Sequence, residues 1–190
     1  MKLKPLFVIF ACVTVAVAAI ASAPLQPTIA SSIALLPTPE KKPAVRPIAE
    51  ITYTEGEFDG SIITRSEAEW KKMLSPNAFY VLRKEGTERA YTGALTDNKK
   101  KGTYYCGACG LALFSSEAKY DSETGWPSFY QPIFKKNVTE KVDNLLSEER
   151  IEVECARCGS HLGHVFDDGP KPTGLRYCMN SAALRFKESK

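Results

Sequence analysis

The feature that most constrains the fold of this chain is a pair of C-x-x-C-G sequences, each preceded by residues typical of a β-strand. The first contains Cys106 and Cys109 and the second Cys155 and Cys158, with 45 residues between Cys109 and Cys155. Two such turns can place four thiolates tetrahedrally around one zinc ion. A site with four cysteine ligands is structural, because it leaves no coordination position open for a substrate. The motifs therefore predict one structural zinc ion that ties the two turns together.

The N-terminus has the composition of an export signal. Two lysines precede an apolar segment from Leu6 to Ala23, and Ala19-Ile20-Ala21 offers a small-residue cleavage motif. We therefore expect residues 1–23 to act as a signal peptide for a periplasmic or secreted protein. If the segment is not cleaved, its 18 residues are long enough to anchor the protein in a membrane.

Disulfides are the alternative use of the paired cysteines, since an exported protein meets oxidising conditions. Each C-x-x-C pair would enclose only a tight loop, and two redox-type motifs in one domain would be unusual. Gly110 and Gly159 also follow the second cysteine of each pair, where such a turn needs a positive φ. The matched spacing therefore favours zinc over disulfides.

The chain divides into an extended segment and one folded domain. Six of the twelve prolines lie between Pro24 and Pro47, and we expect residues 24–60 to form a flexible linker. Residues 61–188 hold the metal motifs and form the predicted domain. The net charge is only +3, which excludes the basic surface of a nucleic-acid-binding zinc ribbon.

Within the domain, two short helices precede a run of β-strands. Ser66 to Glu69 has the form of a capping box, and Ser75-Pro76 offers a second cap for a helix that ends near Gly86. Four later segments alternate in the manner of strands, namely residues 103–105, 111–114, 151–154 and 182–186. The predicted fold class is therefore α+β and mainly β, with zinc-stabilised antiparallel sheets behind short N-terminal helices.

One thiol of the domain has no partner once the metal is satisfied. Cys178 lies two residues after Arg176 and two before Asn180, so on a strand all three side chains point to one face. A buried structural cysteine is the simpler interpretation of such a residue. A neighbouring guanidinium, however, favours the thiolate, which is the nucleophilic form of cysteine.

Polar and aromatic residues with catalytic potential lie near this thiol in the sequence. His161 and His164 stand just before an acidic turn that contains Asp168, in a pattern suited to hydrogen bonding and proton transfer. Each histidine alone could equally be a surface group. Trp126 lies in an aromatic turn that is either core packing or a wall for a small apolar group.

Taken together, these segments resemble methionine sulfoxide reductase B. The resemblance rests on the two C-x-x-C-G turns, on GWPSF at 125–129, on HLGHVFDDGP at 161–170 and on GLRYCMNSAALRF at 174–186. The helical segments before them, with EWKKMLSP and VLRKEGTERA, are similar too, and the resemblance covers roughly residues 62–187.

The resemblance implies a zinc-stabilised β fold that reduces the R epimer of methionine sulfoxide in oxidised proteins. Cys178 takes the family's nucleophile position and would become a sulfenic acid. The resemblance also implies a role for each neighbour: Arg176 and Asp168 tune the thiolate and its proton traffic, Trp126 and Phe166 bind the substrate methyl, and His161, His164 and Asn180 hold or protonate the sulfoxide oxygen. With the export signal, this activity would repair oxidative damage outside the cytosol.

One position departs from the family's pattern. Many members carry a second, resolving cysteine just before GWP, where this chain has Thr124. Cys12 is the one remaining cysteine, and it lies in the predicted leader. We therefore expect an external thiol, such as a thioredoxin-like protein, to reduce the sulfenic acid directly or through a mixed disulfide. The alternative function is a non-enzymatic zinc-stabilised module that binds a ligand in an aromatic pocket.

Overall fold

The computed structural model of the chain describes residues 51–144 and 149–190. The predicted signal segment 1–23 lies outside the described residues, as does the predicted linker up to residue 50. Among the described helices, none has the length and apolar character needed to cross a membrane.

The first helix, α1 (Glu67–Met73), begins at the predicted capping box. The backbone N–H of Ser66 donates to the Glu69 carboxylate at 2.8 Å, and the Glu69 N–H donates to the Ser66 hydroxyl at 3.4 Å. The apolar side of this helix buries Trp70 in the core. The sequence pattern thus predicted this helix and its first residue correctly.

The second helix, α2 (Pro76–Lys84), has Ser75 as its cap and proline at its first position, as predicted. It ends on Glu85, which adopts a left-handed φ of 55°, and not on Gly86. Glycine at position 86 gives room to the ring of Tyr80, since a Cβ there would lie 2.2 Å from that ring. The ring of Tyr80 therefore closes over the last turn of the helix.

Within residues 51–144 and 149–190, nine strands follow the helices, and every pair of these strands is antiparallel. Their bounds are β1 Gly102–Cys106, β2 Ala112–Ser115, β3 Lys119–Tyr120, β4 Ser128–Phe129, β5 Val138–Asp143, β6 Arg150–Cys155, β7 His161–Phe166, β8 Arg176–Met179 and β9 Leu184–Glu188. Short 3₁₀ turns occupy Ser116–Ala118, Lys135–Asn137 and Ser181–Ala183. The predicted mainly β fold with two short helices is confirmed, although the run expected at 182–186 begins as a 3₁₀ turn.

The strands form two sheets. The smaller sheet has the order β2-β1-β9, and the larger has the order β3-β4-β8-β7-β6-β5. Strand β8 therefore lies inside the larger sheet, paired with β4 on one side and with β7 on the other. Because β8 and β9 follow one another but belong to different sheets, the 3₁₀ turn between them carries the chain from one sheet to the other.

Aromatic side chains from both sheets make the core. Phe114 of β2 stacks on Phe129 of β4 with ring centroids 4.5 Å apart, and Tyr104 of β1 meets Phe129 edge-on at 5.0 Å. Tyr177 of β8 packs on Phe114 at 5.8 Å. This cluster positions β8, because every second residue of that strand is anchored in it.

The last part of the predicted linker contacts the domain. Thr54 donates its N–H to the Gly110 carbonyl at 2.9 Å, and its own carbonyl accepts the Ala112 N–H at 3.0 Å. Asn137 accepts the Phe58 N–H at 2.8 Å and donates to the Gly56 carbonyl at 3.0 Å. Residues 51–60 thus lie against the metal turn and the start of β5.

Removing the Phe114 ring tests how far the two sheets depend on this aromatic contact. Phe114 is 0% exposed, and we expect Phe114→Ala to lower the free energy of unfolding by about 3–5 kcal/mol because it leaves a cavity. Phe134 is 38% exposed, and Phe134→Ala should cost less than about 1 kcal/mol. Denaturant unfolding of both variants at equal metal content measures the difference, and equal losses would contradict this account of the core.

Candidate active site

Four cysteine sulfurs converge at one point between the two sheets. The turn after β1 supplies Cys106 and Cys109, and the turn after β6 supplies Cys155 and Cys158. All four sulfurs lie within 4.8 Å of one another, and all four residues are buried. The closest pairs are Cys109–Cys155 at 3.5 Å and Cys106–Cys158 at 3.7 Å.

This arrangement fits a metal ion better than it fits disulfides. Four thiolates around a tetrahedral zinc ion at about 2.3 Å would stand about 3.8 Å apart. A disulfide needs a sulfur–sulfur distance of about 2.05 Å, and each cysteine of the described residues is free. The four donor atoms are all cysteine sulfurs, and sulfur ligands suit a soft ion such as zinc.

The two turns have the same backbone design. The Gly110 N–H donates to the Cys106 carbonyl, and the Gly159 N–H donates to the Cys155 carbonyl, each at 2.9 Å. Both glycines have a positive φ, 75° and 58° respectively, as the sequence predicted. The two C-x-x-C-G sequences therefore form the same kind of turn.

Two arginine side chains hold the metal turns in place. Arg157 donates to the Cys109 carbonyl at 2.6 Å and to its sulfur at 3.5 Å, across the cluster. Arg83 of α2 donates to the carbonyls of Cys158 and Gly159 at 3.1 and 3.2 Å. Arg157 thus joins the two metal turns, and Arg83 ties the second of them to α2.

Cys178 lies outside this cluster, at the third position of β8. Its backbone is in register with Ser128 of β4 and with His164 of β7. The strand alternates, with Tyr177 and Met179 buried in the core and Arg176 and Cys178 half-buried on the opposite face. The predicted nucleophile is thus accessible from one side and held in the middle of the sheet by hydrogen-bonded strands on both sides.

A cavity of about 120 Å³ opens over Cys178. It contains five residues that the sequence had placed at the site, namely Trp126, His164, Phe166, Cys178 and Asn180. Thr87, Arg150 and Gly163 line it as well, and sequence reasoning did not select them. Its volume suits a small group rather than a large cofactor.

Arg176 lies beside the thiol and is held rigidly. Its guanidinium donates two hydrogen bonds to the Asp168 carboxylate, both at 2.8 Å, and stacks 4.3 Å from the ring centroid of Phe166. The hydrogen bond from Arg176 lowers the pKa of Asp168 below its usual value. Asp168 is exposed, so its carboxylate orients Arg176 from the solvent side.

The thiol itself differs from the sequence-based expectation of a stabilised thiolate. Burial raises the pKa of Cys178, while the charge of Arg176 and hydrogen bonds from Thr124 and Ser128 lower it by less. The guanidinium therefore acts in the expected direction but does not outweigh desolvation. In the free protein the neutral thiol is favoured more than in an ordinary cysteine.

Both histidines lie on the same side of the sheet as Cys178. Residues 161 and 164 would face opposite sides of a regular strand, because side chains alternate. The pairing of β6 with β7 shifts register between Val153 and Glu154, and this bulge brings both rings to one face with centroids 5.4 Å apart. Leu162, at the bulge, is fully buried in the core.

Each histidine is oriented by a carboxylate. His164 Nε2 lies 2.8 Å from Asp143, which also accepts from Arg150 at 2.6 Å, and His161 Nδ1 lies 2.6 Å from Glu152. Burial lowers the pKa of His164, and Asp143 opposes this effect only in part.

His161 is 3% exposed and does not line the cavity, but it packs against His164, which does. Its Nε2 atom has no hydrogen-bond partner among the described residues. A buried ring nitrogen of this kind needs a water molecule or a ligand atom.

Glu88 connects several of these elements, although the sequence offered no reason to select it. Its buried carboxylate accepts the N–H groups of Ser181 and Ala182 at 2.6 and 2.9 Å. Its backbone N–H donates to Asn180 Oδ1 at 3.0 Å, and its carbonyl accepts the Trp126 indole N–H at 3.1 Å. Glu88 therefore fixes Trp126 and Asn180, two of the five predicted substrate-binding residues, through its backbone, and the turn after β8 through its side chain.

Asn180 is almost fully engaged by the protein. Besides its contact with Glu88, its Nδ2 donates to the Leu162 carbonyl at 3.1 Å, and the residue is 3% exposed. Gly163 has a different role, because a Cβ there would lie 2.1 Å from the Cys178 carbonyl oxygen. The absence of a side chain at this position lets β7 approach β8 closely beside the thiol.

Thr124 is the residue that comes nearest to the thiol from the preceding loop. Its hydroxyl lies 4.0 Å from the Cys178 sulfur and also contacts Ser122 at 2.8 Å. A side chain at this position is thus within close reach of the Cys178 sulfur.

Comparisons with known proteins agree with this site. Residues 74–188 match the family model described as the SelR domain. Over 126 residues the chain is 55% identical to the peptide methionine sulfoxide reductase MsrB of Leptospira interrogans, covering 66% of this chain and 96% of that protein. The protein of the same name from Methanosarcina barkeri is 58% identical over 125 residues, covering 66% and 88%.

A plant relative matches as well. The chloroplastic peptide methionine sulfoxide reductase B1 of Arabidopsis thaliana is 56% identical over 121 residues, covering 63% of this chain and 59% of that protein. The residues matched by the family model contain the sulfur cluster, strand β8 and the cavity over Cys178. The chain therefore belongs to the peptide methionine sulfoxide reductase B family.

Proposed function

We propose that Cys178 is the nucleophile with which this protein reduces methionine-R-sulfoxide in oxidised proteins. As a member of its family the chain is an oxidoreductase, a peptide-methionine (R)-S-oxide reductase. The observation that carries the assignment of Cys178 is its position: a thiol outside the sulfur cluster, half-buried on a central strand, opening into a small cavity walled by Trp126 and Phe166. The aromatic walls suit the methyl group of the sulfoxide.

In the first step the Cys178 sulfur attacks the sulfoxide sulfur and takes its oxygen. A thiol and a sulfoxide become a sulfenic acid and a thioether, so no atom or electron is lost between them. The thiolate is the attacking form, and Arg176, held by Asp168, is the cation that stabilises it. The raised pKa of Cys178 means that this stabilisation is needed for attack near neutral pH.

Oxygen transfer also requires hydrogen bonding to the sulfoxide oxygen. His164 lines the cavity with Cys178, and Asp143 fixes the orientation of its ring. Because His161 does not line the cavity, its Nε2, unpartnered among the described residues, would act on the oxygen through one water molecule. Asn180, held by Glu88, completes the polar side of the cavity.

An external thiol completes the cycle. With Thr124 beside Cys178, the described residues offer no second free thiol near the sulfenic acid. A thioredoxin-like protein or a small thiol condenses with the sulfenic acid and releases the oxygen as water. A second thiol then reduces the mixed disulfide and regenerates Cys178.

The four clustered cysteines, Cys106, Cys109, Cys155 and Cys158, are the proposed ligands of one structural zinc ion. Such an ion would supply a cross-link between the two sheets and no chemistry at the cavity. The predicted leader, residues 1–23, and its lysines support the further proposal that the protein works outside the cytosol. N-terminal sequencing of the exported protein would distinguish a cleaved signal from a retained membrane anchor.

A pair of serine substitutions tests the assignment of the two kinds of cysteine. Cys178→Ser should abolish dithiothreitol-supported reduction of methionine-R-sulfoxide and leave zinc content unchanged, because the thiol is outside the cluster. Cys155→Ser should lose zinc and lower the free energy of unfolding by on the order of several kcal/mol, because bound metal would no longer stabilise the fold. Activity on both sulfoxide epimers and metal analysis are the measurements. Turnover by Cys178→Ser would show that the protein uses another nucleophile.

Neutralising Arg176 tests the electrostatic account of the thiol. The pKa of Cys178 is raised, so its alkylation by iodoacetamide should accelerate as pH rises through that value. In Arg176→Gln the lowering effect of the cation is lost and the pKa rises further. Each added unit reduces the thiolate fraction about tenfold near neutral pH. The exposed Arg89 offers the matched Arg89→Gln control, and identical pH profiles in the two variants would refute this role.

Replacing Thr124 tests the regeneration step. Thr124→Cys should form an internal disulfide with Cys178 after one turnover without reductant, since the present side chain already lies 4.0 Å from the sulfur. The unmodified protein should instead yield a sulfenic acid that dimedone traps, as seen by mass spectrometry. Ser122→Cys is the control, because Ser122 contacts Thr124 and Ser128 but not the thiol. An internal disulfide in the unmodified protein would overturn the proposal.

A further inference from the structure

A second cleft, of about 250 Å³, lies next to the catalytic cavity. We call it the flanking cleft and define it by three aromatic and three acidic residues: Tyr91, Tyr120, Trp126, Asp97, Asp121 and Glu123. The mechanism uses only Trp126 among them. Its three charged lining residues are all carboxylates, and all three are exposed.

Two aromatic residues relate the flanking cleft to the catalytic site. Trp126 lines both cavities, so the substrate methyl and the content of the cleft would meet the same indole. Tyr120 lies in register with Ser128, which is itself in register with Cys178. The Tyr120 hydroxyl is buried and has no hydrogen-bond partner among the residues described.

The outer wall of the cleft is held in place although it is exposed. Tyr91 is 72% exposed, yet its hydroxyl donates to the Glu123 carbonyl and its N–H donates to the Gly125 carbonyl at 2.8 Å. A Cβ at Gly125 would lie 2.8 Å from Tyr91, so glycine allows this close approach. An exposed aromatic ring fixed in this way offers a binding surface that loses little entropy when a ligand arrives.

The charge of the cleft selects the kind of ligand. Lys119 and Lys99 are the cations close to these carboxylates: burial lowers the pKa of Lys119, Asp121 and Asp97 oppose that effect, and Lys99 adds to it. The Lys119 ammonium donates to the Thr96 carbonyl at 2.6 Å, so it is held within the protein. Three carboxylates against two ammonium groups leave the cleft negative, and a cation beside aromatic rings is favoured further by their negative faces.

We propose that the flanking cleft binds the residue adjacent to methionine sulfoxide in a polypeptide substrate, and that it prefers lysine or arginine there. This inference rests on the proposed function, since it needs the oxidised side chain to occupy the cavity over Cys178. A long basic side chain would lay its methylene stem on Tyr91 and Trp126 and bring its charge to the carboxylates. Free methionine sulfoxide has no neighbouring residue and would not use the cleft.

The test compares blocked peptides that contain methionine-R-sulfoxide flanked by lysine, alanine or glutamate, on each side in turn, with dithiothreitol as reductant. For the full chain we expect kcat/KM to be roughly tenfold higher for the lysine peptide than for the glutamate peptide at low salt. Each carboxylate of the cleft makes only a modest contribution in solvent, but the contributions of the three carboxylates add. The ratio should fall as salt is raised. In the combined variant Asp97→Asn, Asp121→Asn, Glu123→Gln it should approach one.

Two controls separate this proposal from the proposed function. Turnover of free methionine-R-sulfoxide should be the same in the combined variant and the unmodified protein, and Glu57→Gln, an exposed carboxylate paired with Lys136, should keep the lysine preference. If no substrate is turned over by the unmodified protein, the proposed function fails. If all peptides are reduced but at equal rates, or if the preference survives in the combined variant, the flanking cleft is not the subsite.

Discussion

The convergence of four cysteine sulfurs from two turns is the constraint on which the rest of this structure depends. One turn belongs to the smaller sheet and the other to the larger sheet, so a metal held by these sulfurs joins the two sheets at a single point. Strand β7 begins three residues after Cys158 and brings His161 and His164 with it. The position of the cluster thereby determines where the polar side of the catalytic cavity begins.

Along strand β8 the side chains alternate between the core and the opposite face of the sheet, which carries the thiol. Tyr177 and Met179 pack in the core, while Arg176 and Cys178 lie on the opposite face, where Cys178 lines the cavity. The same burial that provides apolar walls for a methyl group also raises the pKa of the thiol. The charge of Arg176 opposes that rise only in part.

The site is supported by residues that are distant from it in the sequence. Glu88 follows the second helix, yet it joins the turn after β8, the indole of Trp126 and the amide of Asn180. Asp143 closes β5 and orients His164 from two strands away. Such contacts make the geometry of the cavity a property of the whole domain, and the flanking cleft extends the same surface towards the chain of a protein substrate.

The sequence by itself determined the local features: both helix caps, the paired metal turns with their positive-φ glycines, and the face shared by Arg176 and Cys178. Each of these depends on neighbours within a few residues, where spacing and backbone preference decide the structure. The strand order, the bulge that turns His161 and His164 to one face, and the roles of Glu88, Asp143 and Gly163 were decided only by the tertiary structure. They arise from pairing between distant strands and from burial, and no local pattern encodes which strand lies beside which, or how burial and charge balance at Cys178.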